Sequence, residues 1–102
     1  EFSFGNFKFD YDTKQLKYYN SISQEIEVQN LTTKDNELLG ILAENMNIVV
    51  TRENILHTIW KEDDYLNARS LDVYITRLRR YLSKDESVKI ITQHGVGFRL
   101  SY

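Results

Sequence analysis

Residues 2–30 alternate between apolar and polar positions. Phe2 and Phe4 flank one polar residue, and Phe7, Phe9 and Tyr11 repeat the spacing after Gly5-Asn6. A period of two marks strands with one apolar face, and Gly-Asn between two such runs is a hairpin signal, weaker than Asn-Gly. Leu16, Tyr18, Ile22, Ile26 and Val28 continue the theme, with Asp, Thr, Asn and Ser at the breaks. The pattern predicts three to four short antiparallel strands sharing one apolar face, with the aromatic stripe as core.

At Leu31 the spacing becomes helical. Thr32 is an N-cap residue, and Asp35 three positions later makes a capping-box variant. Leu38, Leu39, Leu42 and Met46 follow on one helix face. Gly40 costs such a helix about 1 kcal/mol relative to Ala without forbidding it. Asn45 and Asn47 suit its end, and Ile48-Val49-Val50 reads as a short strand or extended link. Thr51 caps a second helix carrying Ile55, Leu56, Ile59 and Trp60. Residues 61–68 break the period and read as an acidic loop. A third helix is expected from about Arg69 to Leu82, then a polar connector over 83–87. Val88 to Tyr102 reads as two strands with Gly95-Val96-Gly97 at or near their turn. Strands, helix, short strand, two helices and a hairpin make an α+β fold on the winged helix-turn-helix plan.

The 102 residues fit one domain, with a sheet over 1–30, three helices over 31–82 and a wing hairpin over 88–102. Two domains would leave cores too small to stand alone. The absence of Cys excludes disulfides, thiolate zinc sites, iron–sulfur clusters and cysteine nucleophiles. No apolar run approaches the roughly 20 residues of a membrane span, and there is no signal-peptide pattern. The chain opens on Glu1 rather than Met, so it is expected to be a piece of something longer.

The net charge of −2 argues against an anionic partner until its distribution is read. Residues 1–68 carry six Lys/Arg against twelve Asp/Glu, whereas residues 69–102 carry seven against three. The local field governs docking, so an anionic partner belongs at the C-terminal third.

The third helix is where the charge concentrates. With about 100° per residue, Ile75, Leu78 and Leu82 fall within about 40° of Leu71 and form a core stripe. Arg69, Val73, Thr76, Arg77 and Arg80 take the opposite side, with Lys84 continuing the track if the helix extends. Ser70 and Tyr74 lie at the margin, where hydroxyls can reach phosphate. Arginine forks onto guanine or phosphate, while Thr and Val pack on thymine methyls, so this face suits a DNA major groove. Four arginines in twelve residues, with no Lys among them, favour that reading over an ordinary solvated face. Asp72 and Arg79 share a flank away from that side and are expected to pair with other elements.

The string Arg69-Ser70-Leu71-Asp72-Val73-Tyr74-Ile75-Thr76-Arg77-Leu78-Arg79-Arg80-Tyr81-Leu82 resembles the recognition helix of the OmpR/PhoB family of bacterial response regulators. Ile91-Thr92-Gln93-His94-Gly95-Val96-Gly97-Phe98-Arg99-Leu100 resembles the family's wing. Leu31 to Leu39 resembles its first-helix opening, and Val50 to Leu56 with Trp60 its second helix. The match is collinear over essentially the whole chain.

The resemblance implies a C-terminal output domain with a four-stranded N-terminal antiparallel sheet, a three-helix core and a C-terminal hairpin wing. It implies sequence-specific binding of double-stranded DNA in transcription control, with helix 69–82 in the major groove. Wing 92–98 would lie at the minor groove or backbone. Arg77 matches the arginine facing the bases. Arg69, Ser70, Tyr74 and Arg80 match groove-lining or phosphate-contacting positions. Thr51 and Trp60 match phosphate-approaching positions, and Thr92 and Gly95 match wing positions near the backbone. His94 stands where many members carry an Arg. Tyr74 replaces a common His, Phe98 a Tyr, and Tyr81 a residue often basic.

Further implications are an upstream phosphoacceptor receiver domain, a sensor histidine kinase acting on it, and head-to-tail dimers on direct repeats. RNA polymerase would be contacted through the loop Lys61, Glu62, Asp63, Asp64, Tyr65, Leu66, Asn67 and Ala68. The setting implied is cytoplasmic, with no membrane contact and no cofactor.

Two rivals are weaker. An enzyme would need a constellation that neither His57 nor His94 supplies, and Glu62-Asp63-Asp64 reads as a solvated loop rather than a metal site. A winged helix can also serve only for protein contact, or belong to a membrane-linked regulator without a receiver.

Overall fold

The computed structural model describes the backbone of residues 1–60 and 65–102, and the side chains of 1–60 and 69–102. Four strands open the chain: β1 (Phe2–Phe4), β2 (Phe7–Asp10), β3 (Gln15–Asn20) and β4 (Glu25–Asn30), in spatial order β1-β2-β3-β4. All neighbours are antiparallel. Gly5 in the first turn has φ +58, which glycine adopts without strain. Asp10 Oδ1 accepts from the Asp12 and Thr13 amides, and Asn20 Oδ1 from the Ile22 and Ser23 amides, so an Asx residue starts each of the next two turns.

The register explains which side chains are interior. Phe2 pairs with Phe9, Phe4 and Tyr18 with Phe7, and Leu16 with Phe9, so all six share the inner face. The final hairpin breaks the expected pattern. Tyr18 pairs with Glu27 and Leu16 with Gln29, so even-numbered positions of β3 share a face with odd-numbered positions of β4. Ile26 and Val28 therefore lie on the outer face, 64% and 50% exposed, and Ile22 stands in the turn at 94%. The single apolar face expected to include these three residues ends at β3.

Helix α1 (Thr33–Glu44) begins as its cap dictates, with Thr32 Oγ1 accepting from the Asp35 amide at 3.2 Å. Leu38, Leu39 and Leu42 are fully buried. Gly40 serves packing: a Cβ there would lie 2.9 Å from the Tyr11 ring. Asn36 Nδ2 donates to the Tyr11 carbonyl at 3.0 Å and holds the same junction.

Strand β5 (Val50–Thr51) leads into α2 (Arg52–Ile55), which continues as a π-helical turn over Leu56–Trp60. Helix α3 spans Tyr65–Leu82. It starts about one turn before the expected Arg69, so Tyr65, Leu66, Asn67 and Ala68 are helical and not loop. Four residues over a single turn are too few for a helical period to show in the sequence. Leu71, Ile75, Leu78 and Leu82 are buried as one stripe.

Strands β6 (Lys89–Gln93) and β7 (Gly97–Ser101) form the terminal hairpin, joined by β5 in the order β5-β7-β6. Gly97 faces Thr51, and a Cβ at Gly97 would lie 2.0 Å from the Val50 carbonyl oxygen. Only glycine permits β7 to close on β5 there. Four strands, a three-helix core and a terminal hairpin reproduce the expected architecture.

Candidate nucleic-acid interface

Because the core stripe of α3 is fixed by burial, its opposite side is fixed too. Arg69, Val73, Thr76 and Arg80 are exposed there, Val73 at 60%. Thr76 Oγ1 donates to the Asp72 carbonyl at 2.9 Å, so its hydroxyl is satisfied within the helix. Arg80 leans over the Tyr81 ring, 5.6 Å from its centroid, and stays in solvent. This surface offers charge, small apolar groups and little bulk.

One flank of α3 carries an aromatic ladder. The Tyr74 ring lies between Trp60, whose ring packs edge-on at 5.5 Å, and the Arg77 guanidinium at 4.6 Å. Lys34 of α1 lies 5.5 Å over Trp60 and donates to the Ile59 carbonyl at 2.8 Å. Arg77 belongs to this flank rather than to the centre of the outer face. Its Nε donates to Oδ1 of Asp35 at 3.2 Å, and the Asp35 side chain is only 1% exposed. Burial disfavours the charged guanidinium, but the Asp35 charge and hydrogen bond outweigh it and hold the Arg77 pKa above the ordinary value.

The other flank is structural, as Asp72 and Arg79 lead one to expect. Arg52 of α2 forks onto Asp72, with Nη1 and Nη2 at 3.1 and 3.3 Å from the two carboxylate oxygens. The Arg52 amide also donates to the Val96 carbonyl at 3.0 Å. One residue thus ties the wing turn, the start of α2 and the side of α3 together. Arg79 donates from Nε and Nη2 to the Ile90 carbonyl at 3.1 and 2.9 Å, and from Nη2 to Thr92 Oγ1 at 2.6 Å. Thr92 is therefore occupied as an acceptor within the protein.

Lys84 is a correction. The helix stops at Leu82, so Lys84 does not continue the basic track. Its ammonium pairs with Glu27 of β4, and its carbonyl accepts from the Tyr18 hydroxyl at 3.1 Å. That pairing, then the hydrogen bond from Asn20, holds the Glu27 carboxyl below its usual range.

The remaining candidates surround the outer face. Thr51 is exposed and caps α2, its Oγ1 accepting from the Asn54 amide at 3.1 Å. His94 and Gly95 are exposed in the wing turn, where Gly95 has φ +76. Ser70 is half-buried on the Arg77 flank. Lys61, Glu62, Asp63 and Asp64 lie outside the described residues. The residues that sequence reading missed are Asp35, Arg52 and Lys34. Only the unexplained charges on the flanks of α3 hinted that partners for them existed.

Among the described residues, no three His, Asp or Glu side chains converge as a metal site would require, and no helix is long and apolar enough to cross a membrane. Residues 26–100 match the family described as "Transcriptional regulatory protein, C terminal". The chain is 53% identical over 70 residues to the transcriptional regulatory protein RprY of Bacteroides fragilis (strain YCH46), over 69% of this chain and 30% of RprY. It thus spans less than a third of that relative. The C-terminal domain of the nisin resistance regulator NsrR, a lantibiotic response regulator, superposes with a TM-score of 0.76 at 27% identity, covering 100% of this chain and 98% of that one. The DNA-binding domain of Bacillus subtilis CssR gives 0.63 at 27% identity, covering 82% and 98%. This chain therefore belongs to the family of C-terminal domains of transcriptional regulatory proteins, as a winged-helix domain of the OmpR/PhoB type.

Proposed function

We propose that this domain binds double-stranded DNA in sequence-specific control of transcription. The outer face of α3 enters the major groove, and the wing turn at His94-Gly95-Val96 approaches the backbone or minor groove. The carrying observation is the exposed row Arg69, Val73, Thr76 and Arg80 on a helix whose opposite stripe is locked in the core. Thr51, Trp60, Ser70 and Tyr74 border this row and supply phosphate contacts.

The domain serves as the output end of a two-component response regulator in the cytoplasm, without chemistry of its own. A receiver domain precedes it and is phosphorylated by a sensor histidine kinase. Two copies bind direct repeats head to tail, and RNA polymerase is met by the segment Lys61–Asp64 before α3. The family match and the regulators it resembles support this wider reading.

Selection from a random duplex pool, followed by fluorescence anisotropy over a salt series, tests the binding claim. The expected result is an enriched sequence with log affinity falling linearly in log salt. A chain that enriches no sequence and shows no affinity at low salt, even for tandem sites, would overturn the proposal.

A further inference from the structure

The outer row leaves Arg77 and the buried carboxylate beneath it without a role in recognition. We propose that Asp35 is a positioning residue for DNA recognition: it grips Arg77 by one edge and so fixes where that guanidinium's remaining donors point. The inference rests on the DNA-binding reading above.

Asp35 is fully buried in the first turn of α1, and its second carboxylate oxygen, Oδ2, has no hydrogen-bond partner. Arginine–carboxylate pairs are frequently bidentate, and this one is not. Here Arg77 spends only Nε on Asp35, and Nη1 and Nη2 make no hydrogen bond among the described residues. The Arg77 side chain is 30% exposed against 1% for Asp35, so the pair opens to the surface on the Arg77 side. The Tyr74 ring at 4.6 Å supplies a platform for the guanidinium, and Trp60 backs that ring. One anchored edge and one supporting ring leave the fork little freedom, so its order is established before DNA arrives. A preorganised donor pair loses less entropy on contact than a solvated arginine. Arg77 at a helix flank can then read a base edge or clamp a phosphate only in the direction Asp35 sets.

The test compares the 102-residue chain with Asp35→Asn and Tyr74→Leu, on the duplex selected above and on a scrambled duplex at one salt concentration. Asn keeps the shape and an acceptor but removes the charge. Tyr74→Leu removes the platform without touching the buried carboxylate. Binding is read well below each protein's melting temperature. Both variants should lose preference for the selected duplex by roughly five- to a hundredfold, the range of one bidentate base contact. Affinity for the scrambled duplex should stay near wild type in Asp35→Asn, whereas Tyr74→Leu, which also removes a phosphate contact, should weaken both duplexes in addition to losing preference. The Arg77 Nε–H NMR signal, protected in the wild type, should exchange faster in Asp35→Asn. If Asp35→Asn melts lower but both variants keep the wild-type preference, Asp35 only stabilises the fold and the positioning role is wrong. If the wild type itself binds neither duplex, the DNA reading fails first and takes this inference with it.

Discussion

Four arginines lie on α3, and the two sides of the helix use them differently. Arg77 and Arg79 are tied to other elements, the half-buried Arg77 to Asp35 and the exposed Arg79 to the Ile90 carbonyl and Thr92. Arg69 and Arg80 remain in solvent on the outer face. The residue type is the same, and Arg79 and Arg80 are even adjacent in the chain. What differs is whether a neighbouring element arrives with an unsatisfied acceptor. Composition alone would count all four as a basic patch, whereas the geometry divides them into two tied to other elements, Arg77 by one edge only, and two held by no other element among the described residues.

The largest effect that could break this division is on stability. Arg77→Ala would strand the buried Asp35 carboxylate, and the cost should be about 3 kcal/mol in urea unfolding. An unchanged midpoint would show that Asp35 does not depend on Arg77. Arg79→Met should come next, losing about 1–2 kcal/mol as the Ile90 carbonyl and Thr92 lose their donor. Its salt slope for DNA should match the wild type, and a changed slope would place Arg79 on the DNA side instead.

Arg80→Ala should do the reverse. Its stability should stay within about 0.5 kcal/mol of the wild type. Its slope of log affinity on log salt should shrink in magnitude by about 1. A stability loss without a slope change would merge the two pairs into one.

The smallest effect lies in the connector just after α3, away from its outer face. Asp85 accepts from the Ser87 hydroxyl at 2.7 Å and amide at 2.9 Å and from the Asn6 amide at 2.8 Å, which holds its pKa below the usual aspartate value. A folded pKa that is depressed gives stability above the unfolded pKa of about 3.9, lost as pH falls through the folded value. Acid unfolding should therefore be steeper in the wild type than in Asp85→Asn below about pH 4, with DNA affinity at neutral pH equal in the two. Parallel acid limbs would remove Asp85 as the tie between the first hairpin turn and the connector after α3.

The same division explains what was legible in the sequence. The order of elements, the Thr32 and Thr51 caps, the core stripe of α3 and the wing all follow from local periodicity and turn chemistry. Ile26 and Val28 do not, because the β3–β4 register sets their face and the alternation before the turn continues on the wrong parity. Lys84 looked like a continuation of a basic track because a helix wheel has no end, whereas the helix ends at Leu82 and Glu27 waits on the sheet. Asp35 read as a capping residue, and its backbone is one. Its side chain's link to Arg77 spans 42 positions, a distance no local pattern encodes.

The central claim is that DNA meets the outer face of α3 and the wing turn. Backbone amide NMR of the 102-residue chain, titrated with the selected duplex, tests it most directly. The account expects the strongest shifts at Arg69, Val73, Thr76, Arg80 and His94-Gly95-Val96, with β1 to β4 nearly silent. Shifts concentrated on Lys8, Lys17 and Tyr19 of the sheet's outer face, with α3 unmoved, would contradict it.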